Sequence, residues 1–263
     1  HRRQNPGSGA ESRPYIRLMI DHAPYTRKGT GSNAVLLIHG ILGSPGHFRD
    51  LIPAIPDTYC VYNILLDGHS GNVENFSRSS MAKWKAQVNA VLADLFTRHE
   101  KVVIAAHSMG TLFAIQAAID HPDRIPALFL LSVPTRPWVR LSTWLTSFRV
   151  AFGKLDTPAA QAMRGETALE LTPKLWKYLG WAPRMIELLM ECSRIRKLLP
   201  TLKVPAQVFQ SQVDELVSIR SCQDWENHPF MHTTLLTGSG HFIYGVEDAA
   251  LLPKPLENLL TSM

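Results

Sequence analysis

The residues Ala106-His107-Ser108-Met109-Gly110 offer the clearest chemistry in this sequence. They form the G-x-S-x-G pattern, with alanine at its first position. A serine at its centre is a candidate nucleophile when a strand runs into the pattern and a helix leaves it. The connecting turn is then sharp and strained, and bulky residues two places before or after the serine would clash. Ala106 and Gly110 are the small residues that such a turn demands. Ser108 would stand above a sheet edge, beside a helix N-terminus. A second string, His39-Gly40-Ile41-Leu42-Gly43, also follows an apolar run. Its glycines let the backbone present an N–H group. The N–H of Ile41 with that of Met109 would make an oxyanion hole, two donors aimed at the charge of a tetrahedral intermediate. His39 beside Gly40 then supports the motif and orients it, and is not a base.

These residues need elements to hold them. Ala34 to His39, Tyr59 to Leu66, Lys101 to Ala106 and Ala127 to Ser132 are continuous apolar runs, each closed by glycine or proline or leading into the serine pattern. Such runs read as strands buried on both faces. Ala206 to Gln210 and Thr233 to Leu236 are weaker cases. Between them, Met81, Trp84, Val88, Val91, Leu92 and Leu95 keep helical spacing, with serines 79 and 80 as candidate N-caps. Met109 to Ile119 is apolar nearly all round, which predicts a buried helix stopping before Pro122. This alternation implies an α/β fold with a mostly parallel central sheet flanked by helices. It breaks after Pro134. From Arg136 to Leu199 the patterns are helical, interrupted by Pro158, Pro173 and Pro183, and four of the six tryptophans lie there. The reading is a core of residues 1–133 and 204–263, with a helical cap, 134–203, inserted in it.

On His39-Gly40, Ala106-His107-Ser108-Met109-Gly110 and Gly238-Ser239-Gly240-His241-Phe242, the chain resembles the α/β-hydrolase-fold serine hydrolases. The elbow is similar to that of small Bacillus lipases. The capped layout is more like bacterial carboxylesterases and monoacylglycerol lipases. The resemblance covers roughly 34–132 and 204–246, and the cap and the first thirty or so residues carry no matching motif. It implies an acid after the serine and a histidine last. The family's acid sits in a G-x-x-D-x-x-V turn, where Asp214 and Val217 match and Ser211 replaces the glycine; Glu215 is the rival acid. His241 has the chain order and loop setting for the base. His69, in a loop that lies beside the site in relatives, is read as a shape-setting turn residue. A split or shortened C-terminal helix is expected from Pro253 and Pro255. The resemblance therefore implies a carboxylic-ester hydrolase for small to medium acyl chains, acting through Ser108, His241 and Asp214 with no metal or organic cofactor. A thioesterase, an acyltransferase, a hydrolase of carbon–carbon bonds, or a non-catalytic binding protein on the same scaffold stay open at this point.

Composition narrows the partners. With 263 residues, 45% apolar and 19% charged, the chain is neither disordered nor fibrous. No run approaches the ~18 apolar residues of a membrane span, and no apolar signal region follows the polar first eleven residues. Net charge is +5, but the excess is scattered among the aromatics of 134–200, which holds eleven Lys/Arg against five Asp/Glu. That distribution argues against nucleic acid. Cys60, Cys192 and Cys222 are far apart and odd in number, so free thiols and a cytoplasmic location are expected. The expected partner is a small-molecule acyl ester, without stable membrane insertion; the oligomeric state is not legible.

Overall fold

Apolar runs become central strands here because both faces of the sheet are covered. The computed structural model describes residues 22–138 and 141–263, without the side chains at 141, 142, 144 and 148. Readings that rest on residues 1–21, Trp144 or Phe148 lie outside the described residues.

In chain order the elements are β1 (Tyr25–Arg27), β2 (Ala34–Ile38), β3 (Cys60–Ile64), β4 (Ser70–Asn72), α1 (Val73–Arg78), α2 (Met81–Arg98), β5 (Val102–His107) and α3 (Met109–Asp120). There follow β6 (Leu128–Leu131), α4 (Leu141–Ala151), α5 (Pro158–Glu166), β7 (Ala168–Glu170), α6 (Trp181–Leu198), β8 (Ala206–Ser211), β9 (Met231–Leu236), α7 (Val246–Leu251) and α8 (Pro253–Thr261). Seven strands form one sheet in the order β1-β3-β2-β5-β6-β8-β9. All its pairs are parallel except β1 with β3.

Alternate residues of each central strand serve opposite layers. Ala34, Leu36 and Ile38 of β2 join the core beneath α1, α2, α3 and α6, with Phe76 and Trp84 at its heart. Val35 and Leu37 face the other layer, where Phe48, Leu252, Leu256 and Leu260 pack. Burying one such side chain contributes about 1.5–3 kcal/mol, so the two layers together hold β2, β5 and β6 in place. Ser80 caps α2, its hydroxyl accepting from the Lys83 N–H at 3.2 Å. The C-terminal helix is split at Leu252 into α7 and α8.

The stretch expected as an inserted cap divides in two. α4, α5 and a 3-10 turn (Leu175–Tyr178) stand outside the core layers, while β7 sends Leu169 into the main core. α6 instead packs on α3, and its Cys192 and Ile195 join the main core. β7 pairs with β4 over three residues, a strand that the apolar pattern did not announce in this segment. Leu169 at its centre is fully buried. All three cysteines are free. Burial pushes the Cys192 thiol up to about 12 and that of Cys222 up to about 11, so both stay protonated.

Candidate active site

The sheet order delivers four loops to one edge: those after β2, β5, β8 and β9. Ser108 sits between β5 and α3 with φ +50° and ψ −123°, backbone that non-glycine residues rarely adopt. Its N–H is held by the Leu131 carbonyl at 2.9 Å. The small neighbours are required by close approach. A Cβ on Gly110 would stand 2.2 Å from the Ile38 carbonyl oxygen, and one on Gly40 would stand 2.8 Å from the Ser108 Cβ. Ala106 is fully buried in β5. Met109 opens α3, where the first N–H groups have no intrahelical acceptor. Ile41 follows Gly40 in a turn closed by the Gly43 N–H to the Gly40 carbonyl at 3.1 Å.

His241 lies within 3.0 Å of Ser108, Nε2 to Oγ. Its Nδ1 is 2.8 Å from Asp214 Oδ2. Asp214 Oδ1 also accepts the N–H groups of Leu216 and Val217, each at 2.8 Å. All three side chains are buried. Burial alone would raise the Asp214 carboxyl, but His241 and the two backbone donors outweigh it and hold the group below the ordinary carboxylate range. Burial alone would lower His241. Asp214, with Glu215 and Glu166 farther off, outweighs that and raises the imidazole above 6.5.

The remaining sequence candidates fall around this line. His39 donates from Nδ1 to the Gly40 carbonyl at 2.8 Å and accepts the Leu66 N–H on Nε2 at 3.0 Å. Burial, then the neighbouring His69, keeps it well below its ordinary value, so it stays neutral and pins the loop after β2. His69 is buried against Phe76 and Trp84, and burial lowers it to about 4. Ser211, where the family's turn has glycine, accepts the Val213 N–H at 3.1 Å and donates to the Ser239 carbonyl. The substitution therefore ties the acid's turn to the histidine's loop. Asp248 holds that loop from α7, accepting from Ser239 Oγ at 2.6 Å and the Gly238 N–H at 2.8 Å.

Sequence reasoning missed a second polar group beside His241. Glu166, the last residue of α5, bonds His47 Nδ1 at 2.9 Å. The His47 ring stacks on His107 at 3.8 Å, and His107 lies 4.7 Å from His241. Burial, then the charges of His47 and His241, keeps His107 well below its ordinary value. Tyr244 Oη is 3.5 Å from His47 Nε2. No local pattern marks these residues, because they come from four separate segments. Among the described residues, no three His, Cys, Asp or Glu side chains are grouped to hold a metal ion.

Residues 33–155 match the profile of a family described as alpha/beta hydrolase fold. A thermostable monoacylglycerol lipase of Bacillus sp. strain H-257 is 32% identical over 94 residues, 35% of this chain and 38% of that protein. The dihydrolipoyllysine-residue acetyltransferase component of the acetoin cleaving system of Cupriavidus necator is 31% identical over 108 residues, 41% of this chain and 28% of that protein. The matches thus span well under half the length of these relatives. A solved structure from the study of LipS and LipT, two metagenome-derived lipolytic enzymes, superposes with a TM-score of 0.70 at 22% identity, covering 92% of this chain and 98% of that one. With its sheet order, its serine turn and these likenesses, the chain is an α/β-hydrolase-fold protein.

Proposed function

We propose that this protein is a serine hydrolase that cleaves carboxylic esters of small to medium acyl chains through an acyl-enzyme on Ser108. The observation that carries the reading is the unbroken line from Ser108 Oγ to His241 Nε2 and from His241 Nδ1 to Asp214, buried at the start of α3. His241 Nδ1–H donates to Asp214, which leaves Nε2 free to accept. Ser108 attacks the ester carbonyl carbon while His241 takes its proton. The N–H groups of Ile41 and Met109 hold the negative oxygen. His241 then protonates the departing alkoxide. Water, deprotonated by His241, attacks the acyl-enzyme and releases the acid and Ser108. Likeness to lipolytic proteins supports an ester as the bond cleaved.

The apolar side chains of the insertion support an acyl site beside this chemistry, since ligand sites are mostly apolar. A cleft of about 360 Å³ lies within the insertion, lined by Val150, Phe152, Leu155 and Leu171 with Arg164 and Glu170 at its polar side. The test is labelling of Ser108 by a fluorophosphonate probe, followed by kcat/KM across p-nitrophenyl esters from acetyl to palmitoyl and matching acyl-thioesters. The expected profile climbs about fourfold per methylene, the worth of ~0.8 kcal/mol, up to butyryl or hexanoyl and then falls. A flat profile or a maximum at acetyl rejects the acyl site. Faster turnover of thioesters moves the assignment to that bond.

A further inference from the structure

Asp214 and Glu215 are adjacent, yet both reach the same histidine. Asp214 bonds the ring of His241, whereas Glu215 Oε2 accepts its backbone N–H at 2.9 Å. The half-buried carboxylate fills the space beside the preceding residue. A Cβ on Gly240 would meet Glu215 Oε2 at 2.8 Å and Oε1 at 3.4 Å. The Gly240 N–H is itself held by the Ile243 carbonyl at 2.8 Å, so the loop has little room to retreat. From α4, Thr143 Oγ1 donates to the Glu215 backbone carbonyl at 3.4 Å and buttresses the turn from the insertion side.

The geometry points to Glu215 as a positioning residue for His241: its carboxylate fixes the main chain of the histidine by accepting the His241 N–H, and it packs against Gly240. The inference rests on the proposed role of His241 as base. A ring bonded only at Nδ1 can swing with its backbone. A second anchor at the peptide N–H removes that freedom and keeps Nε2 within reach of Ser108. Misplacement by about 1 Å can cost on the order of 100-fold in rate. The charge matters as well. The groups facing His241 are Asp214 and Glu215 from the turn after β8, Glu166 from α5 and His107 from β5; His47, from the 3-10 turn Pro45–Phe48, lies behind His107 and Glu166, with Tyr244 against it. Glu215 supports the protonated imidazole, after Asp214.

Two variants separate the bond from the charge. Glu215→Ala loses both. Glu215→Gln keeps an oxygen that accepts the His241 N–H but carries no charge. With p-nitrophenyl butyrate as probe, Glu215→Ala should lower kcat by about 10- to 100-fold with KM within about twofold. Glu215→Gln should recover most of that loss, while its acid limb of kcat/KM against pH moves to lower pH. The direction follows because the neutral imidazole is the base and loss of a nearby negative charge lowers its pKa. Thermal unfolding of each variant controls for folding. The ring Nδ1–H proton resonance of His241 should titrate at lower pH in Glu215→Gln, whatever the substrate. Wild-type kcat and pH limb in Glu215→Ala would overturn the inference, as would a folded Glu215→Gln no more active than Glu215→Ala. Absence of fluorophosphonate labelling at Ser108 in the wild-type protein would instead overturn the serine-hydrolase reading, while the proton titration still judges Glu215.

Discussion

The loops of the sheet edge and the insertion above them are built in opposite ways. At the edge, polar atoms are buried and held by partners from distant segments: Asp214 by His241 and two N–H groups, Ser239 by Asp248, Glu215 by the His241 N–H. In the insertion, large apolar side chains face outward. Trp138 is 60% exposed, Trp176 66% and Leu179 75%, with Phe152, Leu189 and Met190 also exposed. Others turn inward: Leu169 and Ile195 join the core, and Trp181 donates to the Val73 carbonyl at 2.9 Å and packs edge-on against Phe76 at 4.9 Å. The insertion is joined to the core by the β4–β7 pair and the Glu166–His47 bond. The contrast separates two requirements. A relay needs geometry that does not move, while an acyl chain needs apolar surface that folding has left unused.

The sharpest way to break this comparison is at Ser108. Ser108→Ala should lower kcat on the order of 10⁶-fold and leave the thermal midpoint near that of wild type. Retention of a tenth of the activity would remove the serine from the chemistry. Asp214→Asn should cost roughly 10⁴-fold, less than His241→Ala, because it disturbs the tautomer without deleting the base. If Glu215→Gln were crippling and Asp214→Asn mild, the acid would be Glu215. Gly110→Ala tests how rigid the edge is. Its Cβ would collide with the Ile38 backbone oxygen, so a loss of about 1–3 kcal/mol in denaturant unfolding is expected.

Two weaker perturbations probe the insertion. Asp214, Glu215 and Glu166 hold the His241 pKa above 6.5, and in the proposed mechanism the neutral ring is the base. Activity should therefore fall as pH drops through that raised value, and Glu166→Gln should move the falling limb slightly to lower pH. An unmoved limb would show that the insertion's carboxylate is not felt at the relay. Smallest of all, Trp176→Ser and Leu179→Ser should change unfolding free energy by less than about 0.5 kcal/mol, as exposed sites do. Their effect should appear as a change of about fourfold, one methylene's worth, in the hexanoyl-to-acetyl ratio of kcat/KM. A large loss of stability with no change in that ratio would make them packing residues.

How much could be read beforehand depended on whether a signal was local. The strands β2, β3, β5 and β6 announced themselves because burial on both faces forces an unbroken apolar run, α2 because its apolar residues repeat at helical spacing, and α3 because it is apolar nearly all round and stops before Pro122. The serine turn was legible because its strain demands small residues at fixed spacing, as Gly110 against Ile38 shows. Two short strands were not legible, although the edge strand β9 was read as a weaker case. β1 pairs only through β3 and is largely exposed, and β7 rests on a three-residue pairing with β4, so neither carries a burial pattern of useful length. The same holds for α6, whose helical spacing resembles that of α4 and α5 although its Cys192 and Ile195 pack in the core.

By itself the sequence determined the alternation of strand and helix, the serine turn, and the residue types from which a relay could be drawn, because each rests on neighbours along the chain. Only the tertiary structure decided which carboxylate takes the ring and which the backbone of His241, why Ser211 replaces a glycine, and that Glu166 and His47 meet beside the site. Those contacts join residues 26 to 119 positions apart. Their geometry comes from the order in which parallel strands bring their loops to one edge, and no local periodicity encodes that order.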